Sequence, residues 1–363
     1  MPGKPKILFI LHLPPPVHGA AVVGEQIRSS RAVAEAFECR FVNLSTSSTL
    51  GDIGKVSLSK GKALLTLWKT VRRELEEFRP DWVYVTANSA GGGFLKDEPL
   101  VGMIKKEGFP VVVHFHNKGV ATSHIPAWLY RRFFQDIRVI LLSERLYPDI
   151  QAYVPPEFVR YCANGTVDPG PSLRRITSVP HILFLSNLIE SKGILVLLDA
   201  CKKLKDKGLR FVLDVAGGAS AAISSARLQE EITRRSLEDI VLYHGTASDS
   251  DKEALFRNAD IFTLPTYNDI FGLVIIEAMA RSLPVVSTPE GAIPDIVLDG
   301  ESGLIVPQKD VAALANALEK LLLNPALRQK MGARGREHFL AHYTTGQFER
   351  NFVQVMQSLL QHA

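Results

Sequence analysis

The sequence predicts an α/β protein of two domains in series, each built on a parallel sheet with helices on both faces. Three observations carry this. At 363 residues the chain exceeds what one hydrophobic core usually covers. Short β-branched runs alternate with longer amphipathic stretches, the pattern of parallel strands joined by crossover helices. The alternation stops at NGTVDPGPSLRRITSVP, 164–180, which holds three prolines and two glycines, and then restarts.

In the first half the expected strands are KILFILH at 6–12, CRFVNL at 39–44, DWVYVTA at 81–87, VVVHFH at 111–116, RVILLS at 138–143 and VRYCAN at 159–164. Helices are expected over 22–37 and 59–78. The opening run ILFILHL is seven residues long and ends at three prolines, so it reads as a buried first strand rather than a signal sequence. After the linker come strand 181–187, helix 193–208, strand 210–217, helix 226–237, strand 240–245, helix 252–259, strand 260–266, helix 273–282 and strand 284–288. A last helix is expected from 345, packing back on the first domain. The domains are therefore drawn as 1–170 and 171–344, with 345–363 as the returning helix.

Composition excludes several classes. A hydrophobic content of 46% with 22% charged residues describes an ordinary globular chain, and a net charge of +4 is too mild for a nucleic-acid binder. Cys39, Cys162 and Cys201 are widely spaced and lack CxxC pairing, which suggests free thiols and a cytoplasmic setting. No apolar run approaches the roughly 20 residues of a membrane span.

Ligands of such sheets gather at the carboxyl ends of strands, so the strand-to-helix turns are the candidate sites. The first is LPPPVHGAAVVGEQI, where His18, Gly19 and Ala20 open a helix and its small residues admit an anion to the N-terminus. It lacks the GxGxxG spacing of a dinucleotide-binding dehydrogenase. The second is VVVHFHNKG, where His116 emerges at a strand end and can bond a sugar hydroxyl; His114, on the same face but deeper, reads as a satisfied core histidine. Two histidines without an acid do not complete a metal site. The third is Lys192-Gly193, where the lysine can reach a diphosphate as a mobile charge, or simply be solvated. The fourth is DIFGLVIIEAMARS. There Phe271 and Gly272 precede a helix whose N–H groups at Gly272, Leu273 and Val274 would face a phosphate, while Asp269 and Glu277 would accept bonds from sugar hydroxyls. The plainer reading makes Asp269 a helix cap and Glu277 a surface acid.

Taken together, the NGTVD, LSNLIESKGI, FVLDVAGGA, VLYHG, DIFGLVIIEAMA and STPEGAIPDIVLDGESGLIVP segments resemble, in order, the retaining glycosyltransferases of family GT4, which have the GT-B fold. The resemblance implies two Rossmann-like domains facing each other across a cleft. It further implies transfer of a hexose-type sugar from a nucleotide diphosphate sugar, UDP- or GDP-linked, to a saccharide or lipid-linked saccharide acceptor in cell-surface glycan synthesis. It places the loop matching His18, Gly19 and Ala20 near the diphosphate and acceptor, and the histidine matching His116 near the reacting sugar. Lys192 would lie on the diphosphate, Asp269 on the donor sugar and Glu277 on the ribose. Two departures stand out: the first acid is usually glutamate, and the arginine expected five residues before the lysine is Asn187, which removes one charge from the diphosphate site.

The implied mechanism is front-face displacement at the anomeric carbon with retention, the departing diphosphate being stabilised by Lys192 and helix N-termini. No cofactor is expected, and no DxD cradle lies near these motifs, so a metal is not expected to be essential. The segment 55–78 mixes Lys55, Lys60, Lys62, Lys69, Arg72 and Arg73 with Leu64, Leu65, Leu67 and Trp68. It suits either peripheral contact with an anionic membrane or a helix buried on one face, and WLYRRFF at 128–134 shares that ambiguity. A nucleotide-sugar epimerase and a non-catalytic nucleotide-sugar sensor are the rival readings.

Overall fold

The computed structural model describes residues 3–15, 19–45, 58–170 and 178–360. The chain forms two compact units, Met1–Asn164 with Thr345–Ala363, and Gly165–Thr344. Position 170, the expected boundary, falls inside the second unit. Thr166 N–H donates to the Tyr343 carbonyl at 2.9 Å, and Asp168 pairs with Arg336 at 2.9 Å, binding this stretch to the second unit's end. The Arg336 guanidinium holds the Asp168 carboxyl below its ordinary value.

The first unit carries six parallel strands, β1 (Lys6–Leu11), β2 (Glu38–Asn43), β3 (Trp82–Val85), β4 (Val111–His114), β5 (Ile137–Leu141) and β6 (Val159–Tyr161), in the order β2-β1-β3-β4-β5-β6. β3 and β4 are buried along their whole length, which is why WVYV and VVVH read as continuous apolar runs. The helix expected over 22–37 is two, α1 (Gly19–Ser29) and α2 (Arg31–Ala36). Ser30 divides them: its hydroxyl accepts from Val33 N–H at 3.3 Å and caps α2. α1 presses on β1 so closely that a Cβ on Gly24 would lie 2.1 Å from the His12 carbonyl oxygen.

α3 (Leu58–Phe78) buries Leu67, Val71, Leu75 and Phe78 on one face and leaves Lys62 and Lys69 in solvent, the arrangement of a one-sided covering helix. Lys55 and the Lys60 side chain lie outside the described residues. α4 (Gly91–Lys106) and α5 (Ala127–Phe134) complete the crossovers. In α5, Leu129, Tyr130, Phe133 and Phe134 are buried while Trp128 is 60% exposed. The last helix, α13 (Thr345–Leu360), lies in this unit and seats Phe348, Phe352, Met356 and Leu359 in a cluster with Ile7, Phe9, Leu11 and Tyr84.

The second unit repeats the plan with β7 (His181–Leu185), β8 (Val212–Ala216), β9 (Val241–Tyr243), β10 (Ile261–Leu264), β11 (Val285–Ser287) and β12 (Gly303–Ile305), ordered β12-β11-β10-β7-β8-β9 and all parallel. α6 (Ile194–Asp206), α7 (Ser225–Arg234), α8 (Asp249–Asn258), α9 (Leu273–Ala280) and α10 (Ile293–Ile296) are the connections, and α11 (Val311–Leu322) and α12 (Pro325–His342) follow β12. The chain winds outward from β7 to β8 and β9, then returns to β10 on β7's other side. That reversal opens a crevice at the carboxyl ends of β7 and β10, where doubly wound sheets bind ligands. Among the described residues no helix is long and apolar enough to cross a membrane.

Candidate functional site

The loops leaving β7 and β10 are stitched together. The Ser191 carbonyl accepts from the Thr266 hydroxyl at 3.0 Å and from Tyr267 N–H at 2.8 Å. Gly193 sits at φ +84°, and a Cβ there would lie 2.1 Å from the Pro265 carbonyl oxygen, so only glycine allows the loops to meet. This closure brings Lys192 to Asp269, with Nζ 2.7 Å from Oδ2 and 3.2 Å from the Asn268 carbonyl. Both side chains are mostly covered, at 20% and 15% exposure.

The other carboxylate oxygen of Asp269 faces its own backbone. Oδ1 accepts from the N–H groups of Ile270 at 2.8 Å, Phe271 at 3.2 Å and Gly272 at 3.0 Å. The expectation that the Gly272 N–H points at a ligand is thus corrected: it is spent on Asp269. Phe271, in the same candidate donor-binding turn, turns its side chain away from the crevice. At 2% exposure its ring belongs to the core, edge-on to Tyr343 with centroids 6.1 Å apart. Leu273 and Val274 begin α9, and their N–H groups have no carbonyl within the helix to bond.

Along α9, Leu273, Val274 and Glu277 are partly exposed while Ile275, Ile276, Ala278, Met279 and Ala280 are buried. Glu277 therefore shares the face that starts at the open end of the helix. Its carboxylate is 19% exposed, and Oε2 lies 2.6 Å from Nζ of Lys252 on α8. Two partners escaped the sequence analysis. One is Lys252; the other is Glu290, 7% exposed, whose Oε1 accepts from Asp269 N–H at 3.2 Å and whose Oε2 accepts from Gln308 Nε2 at 2.7 Å. An acid placed between Pro289 and Gly291 was the only signal for Glu290. The chain's DxD triplet, Asp249-Ser250-Asp251, opens α8, where Asp251 and Ser248 form a reciprocal capping box. Asn187 is exposed, and its Oδ1 accepts from Gly218 N–H at 3.2 Å.

In the first unit, the structure places His116 just past β4, half-buried, with its ring 4.2 Å from that of His114. His114 is wholly buried, and Nδ1 is 2.6 Å from the Tyr84 hydroxyl, but Nε2 has no hydrogen-bond partner among the described residues. It is thus a half-satisfied core histidine rather than the satisfied one expected. Burial, reinforced by His116, holds its pKa well below the ordinary histidine value. Asn117 Oδ1 accepts from Ser89 N–H at 3.0 Å, which ties this turn to the one after β3. Gly19 and Ala20 form the start of α1, whereas His18 lies outside the described residues.

The fold and the second unit's crevice define a class: a doubly wound pair of domains with a lysine, a carboxylate and an open helix start at one switch point, a set able to hold a polar anionic ligand. Comparison with known proteins makes the class specific. Residues 172–338 match the model of the family described as glycosyl transferases group 1. Among curated relatives, the D-inositol 3-phosphate glycosyltransferase of Corynebacterium diphtheriae is 32% identical over 201 residues, 53% of this chain and 47% of that protein. The putative colanic acid biosynthesis glycosyltransferase WcaL of Salmonella typhimurium is 29% identical over 216 residues, 56% of this chain and 52% of that protein. The chain thus spans about half the length of the curated relatives it matches. Among solved structures, sucrose-phosphate synthase from Thermosynechococcus elongatus superposes with a TM-score of 0.78 at 19% identity, covering 99% of this chain and 100% of that one. Anabaena HepE in complex with UDP and glucose gives 0.73 at 17% identity, covering 98% and 100%. These likenesses establish the fold as GT-B.

Proposed function

We propose that this chain is a retaining glycosyltransferase that moves a hexose-type sugar from a nucleotide diphosphate sugar to a saccharide or lipid-linked saccharide acceptor in cell-surface glycan synthesis. The observation that carries the reading is the Lys192–Asp269 pair, 2.7 Å apart in the β7–β10 crevice beside the start of α9. A relative named for colanic acid biosynthesis and a structural neighbour holding UDP and glucose support the substrate class. In this reading the donor diphosphate takes Lys192 as counter-ion and the Leu273 and Val274 N–H groups as donors. Glu277 then leaves Lys252 to accept bonds from the ribose, Asp269 contacts the donor sugar, and His116 bonds a hydroxyl of the reacting sugar. As the glycosidic C–O bond breaks, negative charge gathers on the diphosphate, and these groups stabilise it more than the ground state. The acceptor oxygen forms the new C–O bond on the same face, and its proton passes to the departing phosphate. Retention of configuration follows.

Peripheral contact with an anionic membrane at the cytoplasmic face belongs to the same reading, supported by the exposed Trp128 at 60% and Leu65 at 62% beside basic residues. Acceptor-dependent release of UDP or GDP tests the activity, after a thermal-shift screen of both nucleotides and their sugars has chosen the donor. Transfer is expected to be lost in Glu277→Ala, together with donor affinity. Conversion of the donor without nucleotide release would make the chain an epimerase. Donor binding with no release under any acceptor would make it a sensor. Cosedimentation with phosphatidylglycerol vesicles at low salt checks the membrane contact, and no binding there refutes it.

A further inference from the structure

The Tyr84–His114–His116 row in the first unit does something the roles above leave unused. Two proton arrangements are open to the 2.6 Å contact between the Tyr84 hydroxyl and His114 Nδ1. If the hydroxyl donates, its proton and the Nδ1 lone pair are both satisfied, and only one Nε2–H is left over. If Nδ1–H donates instead, the buried hydroxyl proton and the Nε2 lone pair are both stranded. A stranded buried polar group is costly and the first arrangement leaves one where the second leaves two, so the first prevails and His114 carries its proton on Nε2. Tyr84 is wholly buried and its pKa is raised well above the ordinary tyrosine value, so it remains a donor.

The ring fixed in this way lies 4.2 Å from the His116 ring, inclined at 44°. We propose that His114 is a positioning residue: Tyr84 locks it as a neutral Nε2–H imidazole, and its ring face holds the imidazole of His116 in place at the carboxyl end of β4. This rests on the reading of His116 as the sugar-facing histidine. Burial keeps His114 neutral, so the support does not repel a proton on His116. A half-satisfied histidine kept in the core is the kind of retained cost found where a site needs a fixed group.

The test has one arm independent of activity and one that needs it. Ring-nitrogen NMR on the wild-type chain should show His114 as the Nε2–H tautomer across pH 6 to 8; the Nδ1–H form would overturn the proposal. Relaxation of the His116 ring carbons should report greater ring motion in Tyr84→Phe and in His114→Ala, and unchanged motion in both would also overturn it. With the donor identified, Tyr84→Phe should lower kcat by about fivefold to a hundredfold while the donor KM holds within about twofold. In a His116→Ala background the same change should have no further effect on kcat, because its route to the reaction is gone. Additive losses would mean that Tyr84 and His114 are merely structural. A wild-type chain that transfers no sugar sinks the function proposed for it, yet the two NMR measurements still decide whether His114 positions His116.

Discussion

Asp269 divides one carboxylate between two tasks, Oδ1 for three backbone N–H groups and Oδ2 for Lys192. It thus closes the turn ahead of α9, whose N-cap is Gly272 without a side-chain cap bond, and faces Lys192 at the same time. The shorter aspartate explains how: its carboxylate reaches the N–H groups of the next residues in the manner of an Asx turn, whereas glutamate's extra methylene would carry the group past them. Asp269→Asn keeps an oxygen for the backbone and loses only the charge opposite Lys192. Asp269→Ala loses both and should destabilise the second unit by about 1–3 kcal/mol. Amide exchange at Ile270, Phe271 and Gly272 checks this, with acceleration expected in the alanine variant and little in the asparagine one. His114 makes a second prediction at this scale. Its native ring stays neutral while the unfolded ring takes a proton near pH 6.5, so the unfolded state binds more protons as the pH falls and stability is lost below that value. The first unit should weaken by at most about 1.4 kcal/mol per pH unit between pH 6.5 and 5. His114→Gln should abolish that slope in denaturant titrations.

At the scale of elements, the site exists because two loops from neighbouring strands touch, and Gly193 is where they touch. A Cβ there would meet the Pro265 carbonyl oxygen at 2.1 Å on a backbone at φ +84°. Gly193→Ala should therefore part the loops, separate Lys192 from Asp269 and destabilise the second unit by about 1–3 kcal/mol. Thermal denaturation and nucleotide affinity should fall together; a variant that keeps both would show that the loop contact is not what builds the site. β1 to β11 were legible because parallel strands buried on both faces are largely continuous apolar runs, whereas β12, three residues at the edge of its sheet, was not. α4 was not, because Pro99 interrupts it and its buried acids break the apolar stripe: Asp97 Oδ2 accepts from Asn88 N–H, and Glu98 takes a two-pronged bond from Arg132. Lys192 and Asp269 could be singled out from the turns that carry them, and Glu277 as the lone acid of an otherwise apolar helix. Glu290 and Lys252 could not, since each earns its place through a partner distant in sequence, which local pattern does not encode.

At the scale of the whole molecule, the chain leaves the first unit at Asn164 and comes back to it at Thr345, so that unit is finished only by the last helix. α13 contributes Phe348, Phe352, Met356 and Leu359 to the core around Phe9 and Tyr84, with the Tyr84 and Phe352 rings edge to face at 5.4 Å. Four such side chains are worth roughly 1.5–3 kcal/mol each, about 6–12 kcal/mol together as an upper bound. That is comparable to the entire stability of an ordinary domain, about 5–15 kcal/mol. A chain ending at Thr344 should therefore lose the first unit while the second, which has its own six-stranded sheet, stays folded. The sequence supplies the reporter, because all three tryptophans, Trp68, Trp82 and Trp128, lie in the first unit. Truncation should shift tryptophan emission to that of solvent-exposed indole, while amide exchange in β7, β8 and β10 remains slow. Native emission from the truncated chain would show that the first unit closes its core without the returning helix.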